Sequence, residues 1–162
     1  MTGALPMQIR GARDEDAAAA CNVVRRSITE LCHADYGGDS ATLALWLANK
    51  TPDNMRRWIA GPESHVLVAT EGEEVVGVGA LQSSGKIVLN YVSPDARFRG
   101  VSKALIAQLE AKAAGLGIEE CALESTATAR RLYLALGYRQ TGPPTPGFGI
   151  GTCYPMAKQI CA

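Results

Sequence analysis

Arg97, Arg99, Gly100, Ser102 and Lys103 stand within seven positions, and residues of these types at this spacing suit the binding of phosphate. The run before them is apolar and β-branched and ends in Ser93-Pro94; a helix-forming segment begins near Lys103. A strand that feeds a short loop into a helix N-terminus leaves the first helical N–H groups without partners, and the helix dipole adds positive potential there. Gly100 permits close approach of the backbone to a diphosphate, while Arg97, Arg99 and Lys103 supply charge.

Charge is distributed in the same sense. The 162 residues carry no net charge, which argues against a general nucleic-acid or membrane binder. Residues 1–85 hold seven Lys/Arg and eleven Asp/Glu, a net of −4, and residues 86–162 hold nine and five, a net of +4. The basic half contains the phosphate loop and suits a polyanionic ligand; the acidic half suits a cationic one. Rival phosphate motifs are missing. There is no Gly-x-x-x-x-Gly-Lys-Ser/Thr, and Gly77-Val78-Gly79 lies inside an apolar run with neither a third glycine nor a following helix.

The length fits a single domain over 1–162, with Met1–Pro6 as a disordered leader. No apolar run approaches the ~20 residues needed to span a bilayer, and the leader lacks a signal peptide's basic and apolar regions. A cytoplasmic protein is expected. Cys21, Cys32, Cys121, Cys153 and Cys161 are odd in number and show no C-x-x-C spacing. They read as reduced, mostly buried thiols rather than a zinc or disulfide framework, so no metal is expected.

Periodicity predicts the elements that hold these residues. Met7–Arg13 reads as a strand, Asp14 as an N-cap, and Ala17, Ala20, Cys21, Val24, Ile28 and Leu31 as one helix face that gives out in the loop His33–Gly38. Short helices follow, one with Leu43, Trp46 and Leu47, the next capped by Thr51 with Pro52 at its first position. Strands His65–Thr70, Glu74–Gln82 and Lys86–Val92 form an antiparallel meander. A helix from Lys103 presents Leu105, Leu109, Ala113 and Leu116; the strand Ile118–Leu123 follows. Ala129, Leu132, Tyr133 and Leu136 then fall at i, i+3, i+4 and i+7, so periodicity alone makes Tyr133 a packing residue. Tyr138–Thr141 and Cys153–Ile160 close the chain as strands around the Pro/Gly-rich loop Gly142–Gly151. The fold class is α/β (α+β). It has a mixed, mostly antiparallel sheet with helices on both faces and one right-handed parallel crossover through 86–92, 103–115 and 118–123.

The segment Arg97-Phe98-Arg99-Gly100-Val101-Ser102 resembles motif A of the GNAT superfamily of acetyl-CoA-dependent N-acetyltransferases, Arg/Gln-x-x-Gly-x-Gly/Ala, with Ser102 at the position of the last small residue. Ala129, Leu132, Tyr133, Gly137 and Tyr138 match that family's motif B in register, with Thr128 where an asparagine often contacts the cofactor. The predicted element order is also that of the GNAT fold, so the resemblance covers essentially the whole chain.

The resemblance implies acetyl-CoA as co-substrate, held by Tyr91, Val92, Arg97, Phe98, Arg99, Gly100, Val101, Ser102, Lys103, Ala104, Thr128 and Tyr133. The amide near Val92 would polarise the thioester carbonyl. It implies that Tyr133 is catalytic, donating to the departing thiolate. It also implies a β-bulge near Asn90 and Tyr91, where two parallel strands splay apart and the acyl arm enters. The Ser102 hydroxyl is expected to reach a phosphate. Where some members carry a glutamate that helps deprotonate the amine, this chain has Lys86. Glu124, a carboxylate of the Glu30–Asp39 loop acting through water, or bound solvent alone are the alternatives. Candidates for the acceptor site lie in 30–46 and in the Gly142–Gly151 loop: Glu30, Asp35 and Tyr36 suit an ammonium but are as consistent with a solvated loop and one packed aromatic, and Asn90 and Glu124 are further candidates. The acceptor is a small-molecule amine or a protein or peptide amine. A homodimer through the last strands is a further implication. A non-catalytic acyl-CoA-binding sensor of the same fold is the alternative function.

Overall fold

The computed structural model describes residues 6–147 and 150–160. In chain order it contains β1 (Met7–Gly11), α1 (Ala17–Leu31), α2 (His33–Tyr36), α3 (Ser40–Leu47), α4 (Pro52–Ala60), β2 (Ser64–Glu71), β3 (Glu74–Gln82), β4 (Ile87–Val92), α5 (Val101–Gly115), β5 (Glu120–Ser125), α6 (Arg130–Ala135), β6 (Arg139–Gln140), β7 (Thr145–Gly147) and β8 (Ile150–Gln159). Most of the expected leader lies outside the described residues. No helix among the described residues is long and apolar enough to cross a membrane.

The strands form two antiparallel sheets, β1-β2-β3-β4 and β5-β8-β6, with β7 paired to β8. The expected parallel pairing of β4 with β5 survives only at their start. Lys86 bridges Ala122, and the Ala122 N–H donates to the Gly85 carbonyl at 3.0 Å. Beyond that point the strands part. The cause lies on β4, where Leu81 pairs with Ile87 but Ala80 pairs with Leu89, leaving Val88 as an extra residue. Such a bulge bends and twists its strand. It sits at Val88 rather than at Asn90–Tyr91, and thus opens the gap two residues earlier than expected.

β3 is buried on both faces and holds the helices together. Val78 and Ala80 pack with Ala20, Val24 and Ile28 of α1. Its other face turns Gly77 and Gly79 toward Val101, Leu105 and Leu109 of α5. A Cβ at Gly77 would sit 2.7 Å from Val101 Cγ1 and 2.9 Å from Leu105 Cδ1, so the glycine lets the first turn of α5 lie directly on the sheet. Gly77→Val is expected to lower stability by roughly 1–3 kcal/mol through overpacking, read as a lower midpoint in urea.

Several boundaries differ from the periodic reading, for local reasons. Asp14 opens a 3-10 turn instead of capping α1; the Asp16 carboxylate accepts the Arg13 N–H at 2.7 Å and the N–H groups of Arg10 Nη1 and Nη2, at 2.7 and 3.0 Å. Thr51 does cap α4, accepting the Asn54 N–H at 3.1 Å. His33–Tyr36 forms a single helical turn where a loop was expected. Leu116 leaves the apolar stripe and is exposed at the end of α5. The Pro/Gly-rich loop contains β7 and the start of β8. Cys21, Cys32, Cys121 and Cys153 are buried, and Cys161 lies outside the described residues.

Candidate active site

α5 begins at Val101, two residues earlier than periodicity suggests, because the loop before it turns through the left-handed region. Phe98 has φ +63 and Gly100 has φ +75. Gly100 is the N-cap, and its carbonyl accepts the first helical bond, from Ala104 N–H at 3.0 Å. The N–H groups of Val101, Ser102 and Lys103 therefore have no acceptor one turn back, while that of Ala104 is spent within the helix. The Val101 side chain is buried against the sheet, which leaves only its N–H for a ligand.

Ion pairs hold this loop from both sides. Arg26 on α1 reaches Asp95 at 2.9 Å in the turn after β4, and Arg99 reaches Glu71 at the end of β2 at 2.6 Å. Arg97 lies over the ring of Phe98, 4.6 Å from its centroid. That ring is 93% exposed. Lys103 is exposed on the first turn of α5.

The diverging ends of β4 and β5 flank a cleft of about 280 Å³. Asn90, Tyr91 and Val92 line it from β4, Glu124 and Ser125 from β5, Arg97 and Ser102 from the loop and α5, and Thr128 and Tyr133 from the α6 side. The structure thus brings Asn90, Tyr91, Val92, Arg97, Ser102, Glu124, Thr128 and Tyr133 to one cleft, Asn90 and Tyr133 from positions 43 apart, whereas Phe98, Arg99, Gly100, Val101, Lys103 and Ala104 are not among the residues lining it.

Tyr133 is 6% exposed and packs edge-on against Tyr138, with centroids 5.7 Å apart. Burial raises its pKa above the ordinary tyrosine value, and a hydrogen bond from Asn90 Nδ2 at 3.0 Å pulls it partly back. The phenol therefore keeps its proton at neutral pH. Burial similarly raises the pKa of Tyr91. Cys32, which also lines the cleft, is pushed up to about 12 by burial and by the charge of Asp35. It is a poor nucleophile there, since reactivity follows the thiolate.

The acceptor-site candidates separate. Tyr36 is a packing residue, buried with its hydroxyl donated to the Thr29 carbonyl at 2.7 Å. Glu30 pairs with Arg26 at 2.9 Å and is not among the residues lining the cleft. Glu124 stays on the cleft wall, 4.0 Å from Lys86. One Asp35 oxygen accepts the Thr128 N–H at 3.1 Å; the other is buried and has no hydrogen-bond partner among the described residues.

The Ser102 hydroxyl donates to Asn90 Oδ1 at 3.0 Å. This contact, and that of Asn90 with Tyr133, carried no signal in the sequence. Each joins separate elements, and neither residue's type identifies its partner.

The sequence matches the model of the acetyltransferase (GNAT) domain over residues 32–160. No curated protein sequence matches it. Among solved structures it is similar to the GCN5-related N-acetyltransferase from Rhodopseudomonas palustris, with a TM-score of 0.84 and 23% identity over 98% of this chain and 99% of that one. The PaiA N-acetyltransferase from Thermoplasma acidophilum, in complex with coenzyme A, gives 0.80 and 18% over 96% and 99%. The ribosomal-protein-S18-alanine N-acetyltransferase from Escherichia coli gives 0.67 and 20% over 97% and 96%. These likenesses establish the shared fold, and with the family match over most of its length, the chain belongs to the GNAT acetyltransferase family.

Proposed function

We propose that this protein is an N-acetyltransferase that moves the acetyl group of acetyl-CoA to a primary amine by direct attack within a ternary complex. The observation that carries this reading is convergence. Arg97, Ser102 at the start of α5 and the protonated phenol of Tyr133 line one cleft between separating strands. The N–H groups of Val101–Lys103, with Arg97 and Lys103, suit a diphosphate. The β4 edge left open beyond the bulge suits the amides of a pantetheine arm, which would pair with it as an added strand. Bound acetyl-CoA supplies an activated acyl group and a thiolate leaving group.

The chain's own residues then have distinct tasks. Tyr133 donates its proton as charge develops on sulfur. Glu124 on the cleft wall places a carboxylate beside the acyl position, which suits an ammonium acceptor. The high thiol pKa of Cys32 supports direct transfer over an acyl-cysteine route.

The test is thiol release from acetyl-CoA with a panel comprising a polyamine, an arylalkylamine, an aminoglycoside and an alanine-starting peptide, with mass spectrometry of the amine. Release that requires an amine, together with an acetyl mass gain on it, is expected. Tight acetyl-CoA binding with no turnover on any amine would instead favour the sensor function.

A further inference from the structure

Ser102, Asn90 and Tyr133 come from the first turn of α5, from β4 and from α6, and they form one hydrogen-bonded line along the cleft wall. Ser102 Oγ–H donates to Asn90 Oδ1 at 3.0 Å, and Asn90 Nδ2–H donates to Tyr133 Oη at 3.0 Å. A phenol has one hydrogen to give and lone pairs to accept with. Since Asn90 fills an accepting position, the phenolic hydrogen is left for the cleft. With the amide reversed, Oδ1 would take that hydrogen and Tyr133 would have none to offer.

The polarity of the line follows from its position. Ser102 lies at the positive end of the α5 dipole, where an amide oxygen is favoured over an amide NH₂ group as the atom facing the helix. Hydrogen bonds that run in one direction also polarise one another, so donation onto Oη makes the phenol a better donor in turn.

We propose that Ser102 and Asn90 are positioning residues that fix the hydrogen-bond polarity of Tyr133, so that its O–H is available to the leaving group. The proposal rests on the reading of Tyr133 as the proton donor. It also accounts for a hydroxyl at position 102, where a helix start that only cradles phosphate through its backbone needs none.

Two measurements test it. In the ligand-free protein carrying [13Cζ]tyrosine, the Tyr133 resonance is assigned by its loss in Tyr133→Phe. Asn90→Leu and Ser102→Ala are expected to move this resonance in the same direction, the second by less, and Ser102→Thr to restore it. A resonance unmoved by both substitutions would overturn the proposal, whatever the enzyme's activity. In the thiol-release assay, with whichever panel amine turns over fastest, Asn90→Leu is expected to lower kcat about 10-fold with the KM for acetyl-CoA unchanged, the effect of one lost hydrogen bond. In a Tyr133→Phe background the same change is expected to cost less than about 2-fold, because residues acting through one another are not additive. An undiminished loss in that background would show that Asn90 acts independently of Tyr133 and would overturn the proposal. Should Asn90→Leu fail to fold, Ser102→Ala undergoes the same cycle. A Tyr133→Phe enzyme with wild-type kcat would defeat the proton-donor reading itself, and the resonance would still report whether the line exists.

Discussion

Tyr133→Phe is expected to lower kcat by about 10²–10⁴, the range for losing a positioned general acid, while acetyl-CoA affinity stays near its original value. The substitution removes one oxygen and preserves the ring. The phenylalanine ring can retain the buried edge-on packing against Tyr138, so the loss would not come from a collapsed helix. It would leave Asn90 Nδ2 without its acceptor, a local cost visible as a small drop in thermal stability and separable from kcat. The pH dependence has a definite sign. Burial raises the phenol's pKa, and the protonated form is the working one. Raising the pH toward the ordinary tyrosine value should therefore not titrate Tyr133 out of its active form. Pre-steady-state measurement of thiol release checks both points, and wild-type kcat in the variant would remove Tyr133 from the chemistry.

Gly100→Val is expected to abolish detectable acetyl-CoA binding in a protein that still folds. No atom lies within 4 Å of where its Cβ would be, so no clash with described residues drives the effect. The cause is backbone conformation. At φ +75 a β-branched residue bears strain of about 1–3 kcal/mol, and relief requires the turn to open and re-aim the N–H groups that follow it. The added side chain also stands where the main chain must approach the diphosphate. Calorimetric titration with acetyl-CoA, alongside a thermal melt, separates lost binding from lost fold. Unaltered affinity would contradict the phosphate-loop reading.

Much of this was legible in the sequence because it is encoded locally. Gly100 followed by an apolar stripe on α5, Thr51-Pro52 at the start of α4, and the short turns that join β2 to β3 and β3 to β4 each act within a few residues. Tyr133 was ambiguous from periodicity because the same face of α6 that packs against Tyr138 also borders the cleft; a buried catalytic phenol and a core residue have the same spacing. What escaped was encoded between elements. The bulge at Val88 depends on how β3 and β4 pair, and a run of apolar and β-branched residues does not say where one will be left over. Tyr36 looked like an acceptor-site aromatic until the Thr29 carbonyl took its hydroxyl. The hydrogen bond from the Ser102 hydroxyl to Asn90, 12 positions away, likewise joins two elements that the sequence does not pair. β7 was hidden by proline and glycine, which weaken the strand signal without preventing pairing in a short hairpin.

The most direct test of the account is a crystal structure of the protein with coenzyme A. Diphosphate oxygens are expected within hydrogen-bonding distance of the N–H groups of Val101, Ser102 and Lys103, and the thiol sulfur in the cleft within reach of Tyr133 Oη. A ligand seated elsewhere, with that helix start bare and the cleft between β4 and β5 closed, would contradict it.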